Sequence, residues 1–200
     1  MCGMDDLLEV LAITEEAERY EARIGGVFTA VEHGDAARLR SLLQANPELA
    51  DAIDESGYRP IHRAIERNDL ECVRTLLQAG ADPKATGPAG QRPLAWAVTH
   101  TAYASAQLLR EHGASLDLWC AAGLGLLAEV AGFWNPDGSL KPEASSPGPA
   151  HYDMYGKLVP GPALPDAEVI SNAFTIAHKN GHEAVAEWLR AQGAEVKPTK

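Results

Sequence analysis

Gly57-Tyr58-Arg59-Pro60-Ile61 is answered by Gly90-Gln91-Arg92-Pro93-Leu94, and the two stretches stand 33 residues apart. The same step carries Leu76 to Leu109 and Gly80-Ala81 to Gly113-Ala114. Landmarks that recur in one register at a fixed period of this size are the sequence sign of stacked supersecondary units, each too small to bury its apolar side alone. The chain is therefore read as a solenoid.

Around the first stretch, Pro60 sits where its missing N–H costs nothing, in the first turn of a helix through His62, Ala64 and Ile65. Asn68-Asp69 is the turn, with Asn in the left-handed role that Gly plays elsewhere. Leu70, Val73, Leu76 and Leu77 form the apolar stripe of a second helix that Gly80 ends. Pro93, Leu94, Ala95, Ala97 and Val98, then Leu108, Leu109 and Gly113, repeat the plan. Upstream, Val27 to Asp35 with Leu39, Leu42 and Leu43 reads as a short helix, a turn at Gly34 and a second helix capped by Asp35. Downstream, Asp117 to Gly125 with Leu126, Leu127, Val130, Phe133 and Trp134 has the same layout, as does Ala173 to Glu183 with Val185, Trp188, Leu189 and Gly193. Between these last two units, Gly132 to Asp166 holds seven of the thirteen prolines and the turn signals Asn135-Pro136-Asp137-Gly138 and Pro160-Gly161-Pro162, and is not expected to be helical; it reads as a proline-stiffened extended hairpin or a partner-binding loop. At the other end, Leu7, Leu8, Leu11, Ala12, Ala17, Tyr20 and Ile24 follow a period near 3.6 with charges between them, which predicts a helix capping the stack.

Gly57 to Ile65, followed by Val73-Arg74-Thr75-Leu76-Leu77-Gln78-Ala79-Gly80-Ala81-Asp82-Pro83, resembles the ankyrin repeat pattern G-x-T-P-L-H-x-A-A and V-x-x-L-L-x-x-G-A-D-x-N. The resemblance runs from about Val27 to Lys197 and implies an all-α solenoid of stacked helix-turn-helix units. It divides the chain into a capping helix (1–26), repeats at 27–53, 54–86 and 87–116, the helices of a fourth repeat (117–134), a Pro/Gly-rich insertion (135–166) and a fifth repeat (167–197). Two departures stand out. Arg59 and Arg92 replace the family's helix-capping Thr, a loss of roughly 0.5 to 2 kcal/mol per site if nothing compensates. Ala95 replaces a His, so the hydrogen bonds open to His62 have no counterpart one unit later.

Composition narrows the function. The net charge is −11, with Asp5, Asp6, Glu9, Glu15, Glu16, Glu18 and Glu21 set against Arg19 and Arg23 at the N-terminal end, so nucleic-acid phosphates and anionic membranes are repelled. Leu118 to Trp134 is apolar but contains Glu129 and three glycines and is shorter than the roughly 20 residues a span requires. The three scattered cysteines, Cys2, Cys72 and Cys120, fit neither a disulfide framework nor paired metal ligands, and a reducing cytoplasm is the expected compartment.

Chemistry-bearing residues are few. His178 and His182 are four apart, the spacing of two ligands on one helix face, but Gly181 puts a turn between them and no zinc is expected. Cys120, among Trp119, Ala121 and Ala122, reads as an inert core thiol. Trp96, Trp119, Trp134 and Trp188 read as packing between units. With no phosphate loop or nucleophilic triad, no cofactor is implied. The alternative is an enzyme whose site forms between the 132–166 insertion and the fourth and fifth repeats, with His151 or Asp153 as general base.

What the resemblance implies instead is a non-catalytic protein-protein interaction module that grips its partner on the concave surface. Carried over by position, that surface comprises Glu32, His33, Tyr58, Glu66, Arg67, Gln91, Thr99, His100, Lys179 and Asn180. The expected partner is a protein with basic patches, matching the acidic chain. A monomer is expected, with self-association through Trp134 or Tyr155 as the other possibility.

Overall fold

A computed structural model describes the backbone of residues 4–145, 148–152, 158–161 and 164–195, and the side chains of 13–88, 90–145 and 164–195. Its helices come in pairs: α1 (Met4–Glu32) with α2 (Ala36–Ala45), α3 (Pro60–Glu66) with α4 (Leu70–Gln78), and α5 (Pro93–Thr99) with α6 (Tyr103–Glu111). They are followed by α7 (Leu118–Gly123) with α8 (Leu127–Ala131) and α9 (Asp166–Lys179) with α10 (Glu183–Ala191). The first helix of each pair packs on the first helix of the next, so α1, α3, α5, α7 and α9 form one layer. A second layer runs through α2, α4 and α6, with α8 against α10.

Each pair is joined by a residue in the left-handed region: Gly34, Asn68, Thr101, Gly125 and Gly181. Thr101, with φ of 54°, is β-branched and strained in this place. After two of these turns an aspartate caps the second helix of the pair, and a third aspartate caps α7. Asp35 accepts from the Arg38 N–H, Asp69 from that of Cys72, and Asp117 from that of Cys120.

The core runs between the layers, with Val27, Val31, Leu39, Ile61, Leu76, Leu94, Leu109, Leu118 and Leu189 buried. Burying an aliphatic side chain of this size is worth about 1.5–3 kcal/mol, so the stack is held by contacts each unit cannot make alone.

Two features differ from the sequence expectations. The capping helix and the first helix of the array are one helix, Met4–Glu32, because nothing between residues 4 and 26 stops it: Gly25 and Gly26 weaken a helix but do not break it. Residues 13–23 of that helix are exposed on every side, so this part projects from the stack rather than covering it.

The missing Thr caps are real, since neither Arg59 nor Arg92 caps its helix, but both side chains turn to other work. Arg59 Nε donates to Thr86 O at 3.2 Å and its Nη1 to Asp51 O; Arg92 donates to Ser115 O and pairs with the Asp117 carboxylate. Arg59 therefore ties its own unit to the one before it, and Arg92 ties its own to the one that follows.

Among the described residues the insertion is not α-helical. The stacked array is all-α, but β1 (Gly148–Tyr152) and β2 (Leu158–Gly161) add a two-stranded antiparallel ribbon pairing His151 with Val159 and Tyr152 with Leu158. Pro149 and Pro160 favour extended backbone and deny the segment a helix. The insertion lies back on the array: its 3₁₀ turn Pro142–Ala144 packs against α7, and β1 packs against the 3₁₀ turn Pro88–Gly90 at the tip between α4 and α5.

Candidate functional site

Counting back from the left-handed residue of each turn gives three rows of side chains along the inner layer. Two positions back lie Glu32, Glu66, Thr99 and Lys179, all exposed, with Gly123 between the last two. One position back lie His33 and Arg67, exposed, then His100, Leu124 and Asn180, half-buried. These two rows hold eight of the residues expected from sequence, while Tyr58 and Gln91 stand at the tips that precede α3 and α5.

Five positions back lies a row that the sequence reading missed: Thr29, Arg63, Trp96, Cys120 and Ile176. Its first three members are half-buried and its last two are buried, with Cys120 fully so. The change falls at α7, where the insertion's Pro142–Ala144 turn packs and Ala144 is buried. The inner face is thus open along α1, α3 and α5 and closed from α7 onward. The signal was present in the sequence: Arg63 and Trp96 occupy one register position, five before Asn68 and Thr101, where core packing would not need large side chains.

The centre of the open part is aromatic. Tyr58 and Trp96 ring centroids are 5.6 Å apart, Trp96 and His100 4.6 Å, and His62 and Trp96 6.4 Å, in tilted or edge-on arrangements that suit ring quadrupoles. Arg63 stacks over the Tyr58 ring at 4.3 Å and bonds Asp54 with both Nε (3.1 Å) and Nη2 (2.8 Å). Burial pushes the Asp54 carboxyl up, but the Arg63 hydrogen bond and charge and the Tyr58 and Ser56 N–H groups outweigh it and hold the group below its ordinary range. Tyr58 is therefore a braced member of a cluster, not a lone projecting ring. The Trp96 Nε1–H has no partner among the described residues.

His62 is fully buried, and its Nε2 lies 3.1 Å from Gln91 O in the next unit. Burial holds its pKa below the ordinary histidine value, helped by the Arg59 and Arg63 charges and opposed by the Gln91 bond. With Nε2 donating, the buried and unpartnered Nδ1 is the ring's bare acceptor.

Other expected sites resolve into structural roles. Asn180 spends its amide on the stack, its Nδ2 donating to Gly123 O at 2.9 Å and Val98 O at 3.2 Å. His178 pairs with Glu183 at 3.0 Å while His182, beyond the Gly181 turn, faces Gly123 O at 3.1 Å, so the two rings point at separate partners. Burial and the Asp117 carboxylate push the Cys120 thiol up; burial and Asp69 push that of Cys72 up to about 12. Trp134 is half-buried with its ring edge-on to Trp188 at 4.8 Å. His151 lies in β1 with its side chain outside the described residues, as are Asp153 and Tyr155 altogether. Among the described residues no three His, Cys, Asp or Glu side chains converge as a metal site, and no helix is long and apolar enough to cross a membrane.

Residues 27–118 match the family model for ankyrin repeats (3 copies). The chain is 34% identical over 84 residues to the ankyrin repeat protein nuc-2 of Neurospora crassa, covering 42% of this chain and 8% of that one. It is 32% identical over 90 residues to the oxysterol-binding protein-related protein 1 of Mus musculus, covering 44% and 9%. With the ankyrin repeat domain-containing protein 49 of Drosophila melanogaster it shares 31% over 81 residues, covering 40% and 37%. The chain spans less than a tenth of the first two relatives, so the likeness lies in the repeats and not in whole proteins. The stacked helical pairs and the match over residues 27–118 agree, and this part of the chain is built of ankyrin repeats.

Proposed function

We propose that this chain is a non-catalytic module that binds a partner protein on the open part of its inner face, between α1 and α5. Ankyrin repeats are in general protein-protein interaction modules, and what supports the reading here is one observation. The row Thr29, Arg63, Trp96 stays accessible and carries an aromatic cluster, while the same row is buried at Cys120 and Ile176. Aromatic and arginine side chains on a rigid scaffold are the residue types that dominate binding energy.

The rim of this face is mixed: Glu32 and Glu66 lie beside His33, Arg67 and His100. The basic patches expected of the partner would therefore meet Glu32 and Glu66 locally and the acidic chain at long range. Two thiols with raised pKa values, buried and free, favour a reducing cytoplasm as its place of work and a structural role for both. The insertion, seated on α7 and on the Pro88–Gly90 tip, limits how far along the face a single bound partner reaches.

The test is affinity capture from native extract with three baits: the wild-type chain, Trp96→Ala with Tyr58→Ala, and a charge reversal at Arg67 and Lys179. The aromatic variant loses the captured protein. The charge variant loses it in part, since Arg67 borders the open part of the face while Lys179 stands on α9, in the closed part. An identical capture by all three baits sinks the proposal.

A further inference from the structure

Ile13, Ala17, Tyr20, Ile24, Val27 and Val31 recur along α1 in alternating steps of four and three, the spacing of a coiled-coil seam. Val27 and Val31 are fully buried in the array and Ile24 packs at its edge. The same face continues outward and stays open to solvent: Ile13 is 63% exposed and Tyr20 41%. We propose that this projecting part of α1 is a second docking surface, separate from the inner face, and that its occupant is a basic amphipathic helix of a partner protein.

Charge identifies the occupant. Glu16 and Glu21 flank the seam on its two sides, and Arg19 and Arg23 do not neutralise them: Arg19 pairs with Glu15 at 3.1 Å, and Arg23 donates to Asn46 at 3.4 Å. Among the described residues Glu16, Glu18 and Glu21 have no ion-pair partner. Two copies of α1 laid side by side in parallel would set Glu16 against Glu21, which disfavours a second copy of this chain. A helix with apolar residues on its seam and lysine or arginine beside it meets both the stripe and the carboxylates. The small Ala17 between Ile13 and Tyr20 leaves a notch for a large apolar residue of that helix. An isolated helix of this length is marginal in water, so docking also orders what the array alone supports at one end only.

The experiment uses the whole chain and two fluorescent synthetic peptides of about three heptads, both with leucine on the seam, one flanked by lysine and the other by glutamate. The lysine peptide binds the wild-type chain and the glutamate peptide does not. Ile13→Ser with Tyr20→Ser, both exposed and outside the core, weakens the lysine peptide about tenfold or more without changing the melting temperature of the array. Glu16→Lys with Glu21→Lys reverses the preference between the two peptides. Equal binding of the lysine peptide by all variants overturns the proposal, because it would report charge without a seam. No binding by the wild type also overturns it, as does a wild-type dimer in light scattering that Ile13→Ser with Tyr20→Ser dissolves, since a second copy would then be the occupant.

Discussion

Replacing Arg92 by Thr restores the residue that ankyrin repeats favour before the helix proline, and on sequence alone it should stabilise the chain. The structure reverses that expectation. A Thr cap would return about 0.5–2 kcal/mol. Arg92, however, is the cation that faces the carboxylate of Asp117, whose side chain is only 7% exposed, and it also donates to Ser115 O. Removing one partner of a buried ion pair costs about 3–5 kcal/mol because the other charge stays behind in low dielectric. The figure belongs at its lower end here: the Arg92 side chain is 24% exposed, and Asp117 Oδ1 keeps its bond from the Cys120 N–H. Net of the regained cap, Arg92→Thr loses about 2 kcal/mol. In a chain of this size that lowers the melting temperature by about 4–8 °C, measured by circular dichroism. A double-mutant cycle separates the pair from the cap, because Asp117→Asn removes the charge yet still caps α7. Arg92→Thr in that background should cost little, leaving a coupling energy above about 1 kcal/mol. A melting temperature that holds or rises in the single variant, or a coupling near zero, refutes the claim that Arg92 serves as a bridge between units.

Two further outcomes follow from the turns and the buried histidine. Thr101→Gly relieves the left-handed strain that Gly34, Gly125 and Gly181 avoid, and should raise stability by about 1 kcal/mol, against the loss of the Thr101 hydroxyl bond to His100 O; a lower melting temperature would contradict it. His62 is held neutral in the fold, so as pH falls through its unfolded value near 6.5 the unfolded chain takes up the proton first and stability declines, by at most about 1.4 kcal/mol per pH unit down to the depressed native pKa. Melting temperatures between pH 7.5 and 5.5 should fall more steeply for the wild type than for His62→Gln, and parallel slopes would remove the histidine from that dependence.

The periodic part of the fold was legible because it is written in local chemistry. Pro60 and Pro93 mark helix starts, Gly34, Gly125 and Gly181 mark turns, and Leu76 and Leu109 mark the buried stripe, each through backbone geometry that a single residue dictates. What stayed hidden depends on neighbours far along the chain. Arg59 and Arg92 read as lost caps because their acceptors, Thr86, Ser115 and Asp117, lie 23 to 27 residues on, at or just past the end of the arginine's own unit. Asn180 read as a surface residue because its acceptor Val98 O belongs to α5, two units back. Trp96 read as packing because a tryptophan on an inner helix looks the same whether the next element covers it or leaves it open. The length of α1 was misjudged for a simpler reason: a change of role from exposed to buried halfway along a helix leaves no mark in its period.

The two halves of the array use their inner faces differently, and the cause is the size of the side chains at α7. Cys120, Ala121, Ala122 and Gly123 present almost nothing beyond the backbone, so α5 and α9 close in on either side. A Cβ on Gly123 would lie 2.3 Å from Val98 Cγ1 and 3.0 Å from Ile176 Cγ1, which is why the place admits no side chain. That close approach lets Asn180 reach Val98 O and Gly123 O together, and it commits the C-terminal inner face to holding the stack. Toward the N-terminus the units are spaced by Trp96, Arg63 and Tyr58, too large to be enclosed, and there the face stays open. An indole N–H left unpaired costs the free chain about 1–3 kcal/mol. A bound partner that turned the half-buried Trp96 ring toward an acceptor would recover that energy as affinity, and so this unsatisfied polar group of the inner layer lies where binding is proposed and not where the stack closes on itself.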